Sequence, residues 1–298
     1  MIRIVEMRRV ALATVAAAAL SGGLSSAASA APIHTGGYNG PAEIQYNGFT
    51  TETASANYAT PGNERTWGAG FMTSMFEFGN TGNNFYSSVT GNPIGYVIYG
   101  LADGSTISDG MGGFNIYNVG CTGGDCDGSI HIDFYELPGG SSTNFGTDLS
   151  IDDRTGFGDF TGITDIGTLL MGWEFVPGIQ TVDELSTVGF DERDAVLVQN
   201  ASAVTLPATG DGDGYAECTS GPACVLFQSG NFPANPAADF LIQFSLANAL
   251  SPGQLSNGWQ GRISDPVRTT VVSEPTVLAI SGLGLVALGF AARRRKTH

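Results

Sequence analysis

Lysine is nearly missing from this chain. It occurs once, at Lys296, and histidine only at His34, His131 and His298, in 298 residues. Basic residues number 12 against 28 acidic ones. A surface so poor in cations repels phosphate backbones and anionic headgroups, which excludes nucleic acid as a partner. The scarcity of histidine leaves little for imidazole chemistry. No G-x-S-x-G elbow, H-E-x-x-H pair or phosphate-binding glycine loop occurs, so the common signatures of serine hydrolases, zinc proteases and nucleotide enzymes are missing. No repeat of fixed period is found, and no stretch reads as an interdomain linker. Paired carboxylates of the glycosidase kind carry little weight as a signal, because so acidic a chain offers such pairs everywhere.

What the chain has in quantity is glycine, 43 residues, and acid. Two of the 28 acidic residues and seven of the 12 basic ones lie outside the segment 31–272. That segment therefore holds 26 acids against Arg65, Arg154, Arg193, Arg262 and Arg268, a balance near −21. Gly-Asn and Gly-Asp turns separate short runs of aromatic and β-branched residues. Such runs predict strands at 43–50, 66–78, 85–89, 95–101, 113–119, 129–137, 169–175, 195–206, 223–228, 240–246, 258–263 and 267–272. In the sixth run Ile130, Ile132 and Phe134 face one way, and His131, Asp133 and Tyr135 the other. Short helices are expected at Thr181–Leu185 and as an alternative over 240–250. The whole predicts an all-β fold: a single β-sandwich or jelly-roll-like domain over 31–272, flanked by an N-terminal signal helix and a C-terminal apolar helix.

Four cysteines lie in two close pairs, Cys121/Cys126 and Cys218/Cys224. In an exported chain this pattern means disulfides, and of three connectivities the local one is expected. A zinc site fits less well, because the spacing is not C-x-x-C. Asp211-Gly212-Asp213-Gly214, with Glu217 just beyond, places carboxylates on an expected turn. Oxygen ligands on a turn suit calcium, although the EF-hand pattern is not met, and an acidic turn pinned by the neighbouring cysteine loop is the plainer reading. Asp148, Asp152, Asp153 and Asp159 make a weaker acidic stretch. No catalytic residue is assigned. Among the tryptophans, Trp67 opens the alternation Trp67, Ala69, Phe71, which predicts core packing. Trp259, flanked by Gly258, is the expected exposed one and a candidate sugar platform.

The two ends read as addresses. Arg8 and Arg9 precede an apolar run from Val10 to Leu20 and then Ala28-Ser29-Ala30, the order of a secretory signal peptide, residues 1–30, cleaved between Ala30 and Ala31. At the other end stand Ser273-Glu274-Pro275, the uncharged run Val277–Ala292, and Arg293-Arg294-Arg295-Lys296. As a helix the 16-residue run extends roughly 24 Å, short of a hydrocarbon core of about 30 Å. The basic stop predicts a cytoplasmic end. Leu206-Pro207-Ala208-Thr209-Gly210 spells a sortase motif but ends 67 positions before Val277, too far to be presented at that segment.

The segment 273–298 resembles the PEP-CTERM sorting domain of Gram-negative bacteria, with Glu274-Pro275 matching the motif and Ser273 standing where the family has its first proline. The resemblance implies an exosortase-type processing protease as partner, transient retention in the inner membrane through the C-terminal helix, and release to the cell surface or beyond. It implies nothing about the middle of the chain. The function expected is that of an exported, surface- or matrix-associated non-enzymatic protein, acting in exopolysaccharide association, biofilm or adhesion, with calcium as the one cofactor to consider. The alternative is a carbohydrate-active enzyme or carbohydrate-binding module on a jelly-roll scaffold.

Overall fold

The computed structural model describes residues 32–53, 63–141, 148–183, 190–227, 232, 235, 238–247 and 252–272. The chain divides into Met1–Pro32 and Ile33–His298, and the fold below is that of the second unit. The signal segment with Ala28, Ala30 and Ala31 lies outside the described residues, as does the tail with Ser273, Glu274, Pro275, Arg293, Arg294, Arg295 and Lys296. Among the described residues no helix is long and apolar enough to cross a membrane.

The described residues hold thirteen strands: β1 (Gly40–Glu52), β2 (Thr66–Glu77), β3 (Asn80–Ser87), β4 (Ile94–Ser108), β5 (Phe114–Gly120), β6 (His131–Glu136), β7 (Arg154–Gly156), β8 (Asp159–Phe160), β9 (Thr168–Val176), β10 (Leu197–Ala201), β11 (Gly210–Ser220), β12 (Phe240–Ala247) and β13 (Gly261–Val271). The α-helix α1 (Pro252–Ser256) is five residues long. The body is all-β, as composition and turn spacing predicted.

Eight strands close a ring. β1 pairs β2, β2 pairs β4, then β6, β9, β11, β12 and β13 follow in turn, and β13 returns to β1, every pairing antiparallel. Each ring strand thus neighbours the next ring strand in the chain, an up-and-down barrel sealed by its first and last members. β3 extends β2 outward. Between β4 and β11 the wall has two tiers. The first half of β4 meets β6, and β9 meets the second half of β11. The second half of β4 meets β5, and β10 meets the first half of β11. The two faces expected of a sandwich are one continuous sheet.

Alternation sets what fills the barrel. Ile44 and Tyr46 of β1, Ile130 just before β6, Ile132 and Phe134 within it, Trp173 and Phe175 of β9, and Phe240 and Ile242 of β12 point into one core. The division of β6 into an apolar and a polar face follows the pattern read from sequence. A second core lies on the outer wall. Trp67, Ala69 and Phe71 share the outward face of β2 and pack with Phe49, Val97, Phe160, Ile163 and Trp259. The chain between Asp148 and Gly167, which carries the small β7–β8 sheet, covers them.

Four local expectations are corrected. Residues 223–227 of the expected Ala223–Gln228 strand are not strand, and Gln228 lies outside the described residues: Pro222–Leu226 forms a 3₁₀ turn, started by Gly221 at φ 91° and Pro222. The helical alternative over 240–250 is strand through Ala247, since Phe240, Ile242 and Leu246 complete the barrel core. Residues 181–183 of the expected Thr181–Leu185 helix are not helical, and the rest lies outside the described residues. The runs at 258–263 and 267–272 contribute residues 261–263 and 267–271 to one strand, β13, which continues through Pro266. Proline cannot donate to a ladder. The β12–β13 pairing is accordingly interrupted there, between Ile242↔Val267 and Ser245↔Ser264, with the register unchanged.

Candidate functional site

The acidic turn of the sequence is a strand. Asp211, Asp213 and Glu217 lie on β11, at alternate positions of its outer face. Residues two apart on a strand are separated by roughly 6.5–7 Å. Asp213 and Glu217, four apart, thus stand about twice that distance from each other, so the three carboxylates do not meet at one point. Asp213 instead accepts a hydrogen bond from Gln243 Nε2 at 2.9 Å. Among the described residues no group of three or more His, Cys, Asp or Glu side chains is placed to hold a metal ion. In the second acidic stretch the Asp153 carboxylate caps a turn, accepting from Ser150 N at 2.8 Å.

Both disulfides are local, Cys121–Cys126 and Cys218–Cys224, as expected. The first closes the loop that presents Asp127 to His131, whose Nε2 stands 3.0 Å from Asp127 Oδ2. The His131 ring stacks on Tyr99 at 4.9 Å, and Tyr99 donates its hydroxyl to Asp133 Oδ2 at 2.8 Å. Burial holds the Asp133 carboxyl above its ordinary range, partly offset by that hydrogen bond and by His131. Burial and the Asp133 charge hold the Tyr99 phenol well above its own. His131, Asp133 and Tyr99 thus form a mutually satisfied outer-wall cluster. Tyr135, which the alternation grouped with them, lies farther along the same face.

Trp259 corrects a further expectation. It is 0% exposed, its indole N–H donates to Leu149 O at 3.0 Å, and its ring packs against Trp67 at 5.4 Å. The flanking glycine does not expose the ring. Gly258, at φ 86°, turns the chain so that the ring enters the outer core. Trp67 and Trp173 are buried too.

The site that sequence reasoning missed is inside the barrel. At the β5–β10 end of the bore lies a cavity of about 60 Å³, walled by inward residues such as Ile98, Leu101, Ile116, Leu197, Ile242 and Ile263. Its mouth is polar. Arg65 Nε contacts Asp103 Oδ2 at 3.0 Å, and Asn118 Nδ2 donates to Asp103 Oδ1 at 3.0 Å. Gln199 Nε2 donates to Asn118 Oδ1 at 2.6 Å. Burial lifts the Asp103 carboxyl, Arg65 pulls it down, and Glu52 pushes it up again.

The loop over this mouth is residues 202–209, which contains most of the L-P-A-T-G stretch. Leu206 N donates to Glu52 Oε1 at 2.7 Å, and Arg65 Nη2 to Val204 O at 3.3 Å. Ser202 N donates to Thr209 O at 2.8 Å, pinching the loop shut. Leu206 and Ala208 face the cavity, and Gly210 is held in the β10–β11 ladder opposite Ala201. The five residues are thus a barrel plug, in accord with their distance from the tail. Family models, curated proteins and solved structures offer no match to this chain.

One further residue defines the bore. Tyr96 lines the cavity, is 1% exposed, and its hydroxyl has no hydrogen-bond partner. A Cβ at Gly48 would stand 2.2 Å from that hydroxyl, and one at Gly70 2.5 Å. The two glycines clear the space across which the phenol reaches. Signals for this site existed in the alternations of β4 and β12, but its location depends on which strands close the ring.

Proposed function

We propose that this chain is an exported, non-enzymatic protein that ends at the cell surface or in extracellular polysaccharide, with a disulfide-bonded β-barrel as its working body. The observation that carries the reading is the combination, within one chain, of two local disulfides and a lysine-free acidic body between two address segments. Disulfides of this kind persist in oxidising compartments. A body near −21 stays dispersed among other proteins and repels anionic surfaces. Retention in polysaccharide, with calcium bridging acidic groups, is the role we infer, and an exosortase-type protease is the processing partner. The carbohydrate-active alternative loses Trp259 as its expected stacking platform, because that ring is packed inside.

Mass spectrometry of the protein recovered from its producer tests the address. The expected species begins at Ala31, ends near Glu274–Pro275 and carries both disulfides. A mature form that keeps Arg293–Lys296 contradicts the sorting reading. A pull-down on the producer's own exopolysaccharide, with and without calcium, tests the role. No retention in either condition removes it.

A further inference from the structure

An eight-stranded barrel has a bore that side chains either fill or leave open to one small ligand. The two ends of this bore differ. The β6–β9 end is packed with rings, Phe134 on Trp173 and Trp173 on Phe240, at centroid distances of 4.4 and 4.0 Å. The β5–β10 end is walled by aliphatic side chains together with Tyr46, Tyr96, Phe175 and Phe244, and holds the cavity of about 60 Å³. We propose that this end of the barrel is a binding site for a small, uncharged, apolar molecule with one hydrogen-bonding group, admitted past the 202–209 loop. The inference is independent of the sorting and matrix reading.

Three observations define the ligand. The wall is largely apolar, aliphatic and aromatic, which favours an apolar body. Tyr96 is among the residues that line this space, and its hydroxyl is buried and without a partner, set beside Gly48 and Gly70. A buried hydroxyl is expected to be paired, so a ligand donor or acceptor near it answers a standing deficit. The mouth sets the charge. Arg65 is matched by Asp103, and Glu52 adds a second carboxylate beside the loop. That acid excess disfavours a carboxylate or phosphate head. The volume sets the size: a cavity of about 60 Å³ accepts only a small molecule. The loop is tied to the rim through Glu52 and Arg65, so entry requires breaking these attachments.

The test uses the full protein purified from its producer, isotope-labelled, with xenon, 2-propanol and acetate as probes. Xenon and 2-propanol are expected to give saturable amide shifts clustered at Ile98, Leu101, Ile116 and Leu246, while acetate leaves those signals in place. Tyr96→Phe should weaken 2-propanol by roughly two- to tenfold, the effect of one neutral hydrogen bond, and leave xenon unchanged. Should that variant not fold, Ala203→Trp, placed in the loop, is expected to fill the space and abolish both responses. Absence of saturable shifts, shifts centred elsewhere, or acetate binding as tightly as 2-propanol overturns the proposal. So does a folded Tyr96→Phe that binds 2-propanol as the parent does, or a folded Ala203→Trp that keeps the shifts.

Discussion

Glu64 shows how much one side chain ties together in this protein. It is 7% exposed. It accepts from Gly100 N at 2.8 Å, from Thr53 Oγ1 at 3.1 Å, and from both terminal nitrogens of Arg154 at 2.6 and 3.0 Å. Arg154 in turn lies over the Trp67 ring, 4.6 Å from its centroid. The pair fastens the covering segment to the barrel. Removing one partner of a buried pair leaves an uncompensated charge. Arg154→Leu is therefore expected to lower stability by about 3–5 kcal/mol in urea unfolding, and adding Glu64→Gln should recover part of that loss. Asp133 makes the second residue-scale case. Its carboxyl is raised from 3.8, first by burial. The folded protein then holds that proton more tightly than the unfolded chain, so its stabilising share is present below the unfolded value. That share is lost as pH rises through the folded value. Asp133→Asn keeps an acceptor for Tyr99 and removes the titration. The variant should be the more stable at pH 7, and its stability should fall less than the parent's from about pH 4 upward. Equal pH slopes for both proteins would sink this reading. Neither residue was legible as a site. Glu64 and Arg154 are 90 positions apart, and nothing local marks them as partners.

At the level of elements, β11 was the hardest to read. Asp211-Gly212-Asp213-Gly214 has the composition of a turn, because glycine and aspartate are poor strand formers. The glycines serve the barrel instead. They face inward, where a Cβ at Gly212 would stand 2.4 Å from the Phe244 ring and one at Gly214 2.8 Å from Phe175. Tertiary packing overrode propensity, and the signal was visible only once the opposite wall was known. By contrast β6 and the Trp67–Phe71 face were legible, because alternation is a local property. The seam at Gly210 gives a test. A Cβ there would stand 1.9 Å from the backbone oxygen of Asn200. Gly210→Ala must shift the β10–β11 ladder, and overpacking of this kind destabilises by about 1–3 kcal/mol. Gly253→Ala, at the start of α1 with nothing within 4 Å, is the control. It should be neutral or stabilise by up to about 1 kcal/mol. Denaturant midpoints of the two variants decide between backbone contact and a general intolerance of glycine replacement.

Closure of the barrel belongs to the whole molecule and was not legible at all. Its seal joins β1 to β13, Gly40 to Val271 at one end and Thr50 to Gly261 at the other. No local pattern encodes a pairing between the two ends of a body. Charge, in contrast, could be read directly and predicts a property of the whole. With a balance near −21 over 31–272, the compact state repels itself. Raising sodium chloride from 10 to 150 mM shortens the screening length from about 30 to about 8 Å. The thermal midpoint should rise by about 2–4 °C, which corresponds to roughly 1 kcal/mol for a domain of this size. Calcium chloride at matched ionic strength separates screening from site binding. A site adds a saturable increment that grows with the logarithm of free ion, whereas screening depends on ionic strength alone. Because Asp211, Asp213 and Glu217 are strung along one strand, Asp213→Asn should shift the midpoint by the same amount in both salts. A calcium-specific increment that Asp213→Asn abolishes would show that β11 does bind the ion, through groups brought to the strand from elsewhere.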